Sequence, residues 1–170
     1  GDINGDGYAD TVVGDYCYDE SRGRAMVLAG AAEGMLGQAS RNLDPESLDG
    51  RPYPGPMQFA ARHGSVGDFD GDRIGDYIIT NQNWPFVDIY RGNRQQMLVY
   101  DRTIRPVVDD RGIGVDAFVG FVSDAPDLDG DGRSELVATC RRCGVSLPSD
   151  PEWGRGYVFV YRLMGSPSTA

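Results

Sequence analysis

The chain has 170 residues and a formal net charge of −10, from 26 acidic residues against 16 arginines and no lysine. An acidic chain of this kind argues against nucleic acid and anionic membrane as partners, because both demand a basic face. With 40% hydrophobic residues a packed core is within reach, and no uncharged apolar run approaches the roughly 18 residues of a membrane span.

The first predicted element is a nonapeptide, DINGDGYAD at 2–10, followed by an apolar, β-prone run at 11–13 and another at 25–28. A Pro-rich stretch at 45–56 leads to a predicted strand over 59–66, which carries the single histidine, His63. The nonapeptide then recurs as DFDGDRIGD at 68–76, with β-prone runs at 77–80, 87–90 and 97–100. A third copy, DLDGDGRSE at 127–135, precedes runs at 136–138 and 157–161. Phe59 and Phe118 each stand nine residues before the nonapeptide that follows them. Self-similarity at this spacing is one supersecondary unit used about three times, over 1–58, 59–117 and 118–170.

Positions 1, 3, 5 and 9 of the nonapeptide carry side-chain oxygen in every copy. They are Asp2, Asn4, Asp6 and Asp10, then Asp68, Asp70, Asp72 and Asp76, then Asp127, Asp129, Asp131 and Glu135. Position 7, which is Tyr8, Ile74 or Arg133, would add a backbone carbonyl. Ca²⁺ takes roughly 6–8 oxygens at about 2.3–2.6 Å, whereas Mg²⁺ prefers smaller octahedral sites that retain water. Eleven of the 26 acidic residues lie in these loops, and three bound Ca²⁺ would bring −10 to −4. Asp/Gly/Asn runs also form ordinary turns, but three in register with following strands point to metal. An EF-hand or dockerin needs a bidentate Glu at position 12 on a following helix. Position 12 is here Val13, Ile79 and Ala138, inside apolar runs, so that reading fails.

These residues resemble the FG-GAP repeats of integrin alpha-subunit β-propellers and their bacterial relatives. The family unit is a Phe-Gly start, a Dx(D/N)xDGxxD calcium loop, a strand, and a Tyr-Val-Phe-like strand ending in Gly. Phe59-Ala60 and Phe118-Val119 lack the Gly of the name, and Glu135 replaces Asp at position 9. Arg73 replaces Gly at position 6, where a positive φ is usually wanted, so a distorted second loop is expected.

The resemblance implies an all-β chain of about three four-stranded antiparallel blades in an incomplete ring, with the calcium loop joining strands A and B. Blade one lacks strand A. Blade two is whole, with A over 59–66, B over 77–80, C over 87–90 and D over 97–100. Blade three stops near strand C, at Tyr161. The B runs lack alternation, as strands buried on both faces do. Outer blades with open edges and faces imply that the segment alone associates.

In such a meander the B–C and D–A connections share one face, and each B–C loop carries aromatics: Tyr16 and Tyr18, Trp84, and Trp153. Exposed rings anchor a protein or carbohydrate ligand well, and rings in these places also serve to cover loop bases. Catalysis is poorly supplied, with one His, no Lys, no Gly-x-Ser-x-Gly elbow, no His-Glu-x-x-His and no phosphate-cradling glycine loop. No catalytic residue is assigned, and the chain reads as a non-enzyme. Cys140 and Cys143, with two residues between them, allow a redox dithiol, half a zinc site or a short disulfide clip. The clip agrees with an oxidising compartment, as do calcium sites of the weak affinity found in extracellular modules. The expectation is an extracellular or cell-surface calcium-binding domain for ligand binding or adhesion, not inserted in a membrane, with further blades of a parent propeller as partners. The alternative is an accessory calcium-stabilised propeller of a secreted hydrolase or lyase whose catalytic domain lies outside this segment.

Overall fold

The structure, a computed structural model, describes residues 1–35, 37, 39–45, 58–81, 87–104, 122–125, 127–140 and 157–162. Their strands are β1 (Thr11–Asp15), β2 (Arg24–Leu28), β3 (Gly30–Ala31), β4 (Gly34–Met35), β5 (Arg41–Leu43), β6 (Phe59–Gly67), β7 (Asp76–Asn81), β8 (Val87–Asn93), β9 (Met97–Ile104), β10 (Val122–Ala125), β11 (Glu135–Cys140) and β12 (Tyr157–Tyr161). A turn at Tyr18–Ser21, with Asp19 and Glu20 in left-handed conformation, interrupts the β succession. No described helix is long and apolar enough to cross a membrane.

The β-prone runs become strands where expected. Strands β6-β7-β8-β9 form one four-stranded antiparallel sheet, a whole blade, in which D extends to Ile104. On either side lie two three-stranded sheets, β1-β2-β5 and β10-β11-β12, with a small β3-β4 hairpin beyond the end of β2. The first carries the B, C and D strands of its blade, and the third carries A, B and C. Among the described residues no sheet closes on itself, so the architecture is an all-β, incomplete propeller. Register makes the blades superposable, since Thr11 pairs with Leu28, Tyr77 with Tyr90, and Leu136 with Tyr161.

The cores lie between blades, not within them. One cluster joins Ile3, Val12 and Val27 of blade one to Tyr77, Ile79 and Leu98 of blade two. The other joins Phe69, Ile78 and Ile89 of blade two to Leu136 and Ala138 of blade three. Strand β7 therefore sends Tyr77 and Ile79 into one seam and Ile78 into the other, and all three are buried. Fully burying such a side chain contributes about 1.5–3 kcal/mol, which explains the continuous apolar run. The expectation of B strands buried on both faces holds only for this middle blade. In blade one Val12 is buried but Val13 is exposed, and in blade three Leu136 and Ala138 are buried while Val137 is only half-buried. Alternation returns where no neighbouring blade covers the second face.

Backbone bonds reinforce the seams in a repeating way. The position-8 N–H of the second and third loops donates to the position-1 carbonyl of the loop before, from Gly75 to Asp2 at 2.7 Å and from Ser134 to Asp68 at 2.9 Å. The start of β6 is tied back as well, because the Phe59 N–H donates to the Arg22 carbonyl at 3.0 Å. A bulge follows Phe59, and Ala60 takes φ +60° there, at the position where the repeat name has glycine.

Gly92, at the end of strand C, sits so close to its neighbours that an added Cβ would stand 2.5 Å from the Gly75 carbonyl oxygen and 2.5 Å from Ile74 Cγ2. Gly64 has open space instead. Overpacking of a filled site costs typically about 1–3 kcal/mol. Gly92→Ala is expected to lower the urea-unfolding free energy by about that amount, while Gly64→Ala leaves it unchanged or slightly raised. Equal effects of the two would refute the close approach.

Candidate metal centre

Each nonapeptide folds on the same frame of N–H bonds to its own carboxylates. The position-1 Oδ1 accepts from the position-4 N–H: Gly5 to Asp2 at 2.6 Å, Gly71 to Asp68 at 2.7 Å, Gly130 to Asp127 at 2.6 Å. Its Oδ2 accepts from position 6, at 2.9, 2.8 and 2.8 Å from Gly7, Arg73 and Gly132. Position 3 accepts from position 5, and position 5 accepts from the position-7 N–H of Tyr8, Ile74 or Arg133. These contacts span at most five residues, which is why Asp, Asn and Gly at this spacing specify the loop locally.

The second loop is not distorted, contrary to expectation. Arg73 adopts φ +70° beside +92° at Gly7 and +87° at Gly132, and its N–H makes the same bond. The exposed arginine therefore takes up the left-handed strain of the position, about 1–2 kcal/mol for a residue with a Cβ, and the loop geometry survives.

Position 9 does more than line a loop. Asp10, Asp76 and Glu135 are all buried, and each accepts the N–H of position 2: Ile3 at 2.9 Å, Phe69 at 2.8 Å, Leu128 at 2.6 Å. The other oxygen of Asp10 accepts from Gly30 at 2.8 Å, and that of Asp76 from Gly92 at 3.0 Å. This carboxylate clips the loop to the end of strand C. The glycine ending that strand is needed because Gly30, like Gly92, lies against the carbonyl just before the position-9 residue.

Carboxyl oxygens of Asp127, Asp129, Asp131 and Glu135 come within 4.8 Å of one another, as do those of Asp68, Asp70 and Asp76. Asp72 stays outside the second group, and among the described residues Asp2, Asp6 and Asp10 form no such group. In loop one the Asn4 side-chain amide donates to Asp6 instead, at 2.9 Å. Burial pushes Asp76 up to about 7, against the downward pull of the N–H bonds from Gly92 and Phe69 and with the Asp70 charge adding to the rise. Asp72 is also raised, first by burial and then by Asp70 and Asp68. Asp127 is lowered, chiefly by the N–H of Gly132. The donor set is all oxygen and mostly anionic, so the two clusters can hold a hard divalent cation.

Sequence reasoning missed two residues of these sites. Arg91 and Arg162 each directly follow the strand-C tyrosine that pairs with position 10, Tyr90 with Tyr77 and Tyr161 with Leu136. Arg91 Nη1 lies 3.4 Å from Asp70, and Arg162 Nη1 lies 2.7 Å from Asp129, the position-3 acid in each case. Blade one has Ala29 at that register and Asn4 at position 3. Counting the four ligand side chains with this strand-C residue, each blade carries −3. The pairing of Asp with Arg and of Asn with Ala was readable in the sequence only once the strand register was known.

Of the ligand-face residues, Tyr16 and Tyr18 are exposed, with Arg24 Cζ 3.9 Å above the Tyr18 ring. Tyr18 lines a cleft of about 290 Å³ with Asp19, Arg22, Asp44 and Pro45. The adjoining turn holds three successive non-glycine residues at positive φ, Asp19, Glu20 and Ser21. Trp84 and Trp153 lie outside the described residues, as do Phe118, Cys143 and the Cys140 side chain. Cys17 is an exposed free thiol. His63 stacks on Tyr77 with its Nδ1 3.2 Å from the hydroxyl.

No protein-family profile matches the chain. Over 81 residues, 46% of its length, it is 38% identical to Integrin alpha-PS2 of Drosophila melanogaster, and it spans 6% of that protein.

Two outcomes follow from the charges at the loops. Arg162 competes with a cation for Asp129, and a unit charge a few ångströms away contributes about 0.5–1 kcal/mol in water. Arg162→Ala is expected to tighten divalent-cation binding at the third loop by about two- to five-fold in low-salt calorimetry, with the gain shrinking as salt is added. In chelator, the folded state keeps the Asp76 proton to about pH 7, whereas an ordinary aspartate carboxyl releases it near 3.8. The unfolded state then binds fewer protons across that window, so stability falls as pH rises from about 4 to about 7. Urea midpoints should show this slope in chelator and a smaller one in Asp76→Asn; identical slopes would refute it.

Proposed function

We propose that this chain is a calcium-binding repeat segment of the integrin-alpha type, acting at the cell surface or outside the cell in adhesion or ligand binding. The observation that carries the reading is the pair of oxygen clusters built on one repeated loop frame, in a chain with partial similarity to an integrin alpha protein. Ca²⁺ is the cation favoured by a flexible all-oxygen loop with up to four anionic or amide side chains. The third loop would hold it through Asp127, Asp129, Asp131 and Glu135, and the second through Asp68, Asp70, Asp72 and Asp76. The first loop would use Asp2, Asn4, Asp6 and Asp10. The carbonyls of Tyr8, Ile74 and Arg133 would complete the respective sets.

The cation supplies positive charge where burial and mutual repulsion disfavour ionised carboxylates. The chain's own residues do the rest. Position 9 passes order from the loop to strand C through its two N–H bonds, and position 1 passes it to the next blade through its carbonyl. Bound Ca²⁺ therefore acts as a staple at the A–B turns, leaving the opposite face for ligand. On that face the Tyr18 cleft, lined by Asp19, Arg22 and Asp44, offers an aromatic surface and both signs of charge to a protein or carbohydrate group. No residue is given a catalytic role.

Calcium is expected to raise stability by RT ln(1 + [L]/Kd) per site, about 2.7 kcal/mol at a hundredfold excess over Kd. Melting should rise between chelator and millimolar Ca²⁺, and up to three ions should bind by calorimetry. Asp131→Ala and Asp6→Ala should each remove one of them. Unchanged melting would overturn the reading.

A further inference from the structure

We infer, resting on the cation-binding reading of the second loop, that Asp101 of strand β9 is a positioning residue for that loop: it holds the Arg91 guanidinium back from the ligand Asp70. Asp101 belongs neither to the loop nor to the strands that flank it. Between the paired positions Ile89–Arg102 and Tyr90–Tyr100 it is the extra residue of a bulge. Tyr100 meets Tyr90 edge-on, with ring centroids 5.8 Å apart, on one face of the sheet. Arg102 stands opposite Ile89, which shares the other face with Arg91, two residues further on. The bulge therefore turns two successive residues, Asp101 and Arg102, to the face of Arg91, which regular alternation forbids.

The contacts follow from this placement. Arg91 Nη2 donates to Asp101 Oδ1 at 2.6 Å, and Arg102 Nε donates to Asp101 Oδ2 at 2.6 Å. Both carboxylate oxygens are engaged, and the Asp101 side chain is only 6% exposed between two half-exposed arginines. The remaining amino group of Arg91, Nη1, reaches Asp70 Oδ2 at 3.4 Å, well beyond a strong charge-assisted bond. In blade three the equivalent arginine sits closer to its loop. Arg162 Nη1 lies 2.7 Å from Asp129 and its Nε 3.7 Å from Asp131, both ligand positions of the third loop. Among the described residues, no acid outside that loop engages Arg162.

A cation entering the second loop has to take Asp70 from Arg91. The contact it breaks is long, and Arg91 keeps its shorter bond to Asp101. Without the Asp101 charge the guanidinium would close on Asp70, as Arg162 closes on Asp129, and the cation would compete with a full ion pair. Asp101 thereby sets the affinity of a loop to which it does not belong.

The test is a double-mutant cycle on the whole chain, read site by site from backbone amide NMR signals. Salt of about 0.15 M screens exposed charges beyond roughly 8 Å. The Asp72 N–H donates to Asp70 Oδ1 at 3.1 Å, so its signal reports on Asp70 in chelator, with no metal present. Asp101→Asn is expected to move that signal when Arg91 is present and to leave it in place beside Arg91→Ala. Ca²⁺ titrations followed at Gly71 should show Asp101→Asn weakening the second loop by about two- to five-fold, and by less than about 1.5-fold beside Arg91→Ala. Gly130, in the third loop, should titrate identically in all four proteins. An Asp72 signal that moves equally with and without Arg91 would overturn the proposal, because Asp101 would then act through space or on the fold. So would equal weakening of Ca²⁺ binding in the two backgrounds. Signals at both loops that ignore millimolar Ca²⁺, beside an intact Arg91-dependent response in chelator, would remove the cation reading and keep the restraint of Arg91 by Asp101.

Discussion

A buried carboxylate that must find hydrogen-bond donors is the constraint from which the repeat is organised. Position 9 of each loop is withdrawn from water as Asp10, Asp76 or Glu135, and burial of an ionised group is tolerated only when donors or counter-charge replace the lost water. The position-2 N–H always provides one donor, and in the first two blades the glycine at the end of strand C provides another. Those bonds bring the loop, strand B and strand C into one unit. They also place position 2 so that Ile3 and Phe69 turn into the seam with the next blade. A cation bound by the remaining oxygens would strengthen a frame that the backbone already draws.

The seams follow from that unit. A single sheet with apolar side chains on both faces cannot hide them alone, so stability in this architecture is a nearest-neighbour property. The middle blade shows the completed state, and the outer blades show each half of it. Among the non-glycine residues with left-handed backbone are Arg73, where the loop requires it, and Ala60, where a bulge redirects strand A. Neither disturbs the hydrogen bonds around it, because several neighbouring bonds hold the same geometry.

Charge is managed locally. Arg91 and Arg162 reach from strand C to the position-3 aspartates of their own blades, whereas blade one dispenses with both the acid and the base. Keeping the ligand set at the same charge in every blade limits self-repulsion before a cation arrives. It also leaves enough negative charge to attract one.

The sequence by itself determined the loops, the strands that follow them and the all-β class. Asp, Asn and Gly at alternate positions make turn bonds no more than five residues long, and β-branched runs after them leave one choice of element. Only the tertiary structure decided which oxygens gather, since Asp72 and the whole first loop stand apart from the clusters despite the same spacing. It alone brought Arg162 to Asp129, 33 residues away in the chain, and Gly92 to Asp76. It likewise showed that the B strands are buried on two faces only in the middle blade. Burial of that kind depends on what lies across the seam, and no local pattern of residues encodes a neighbour.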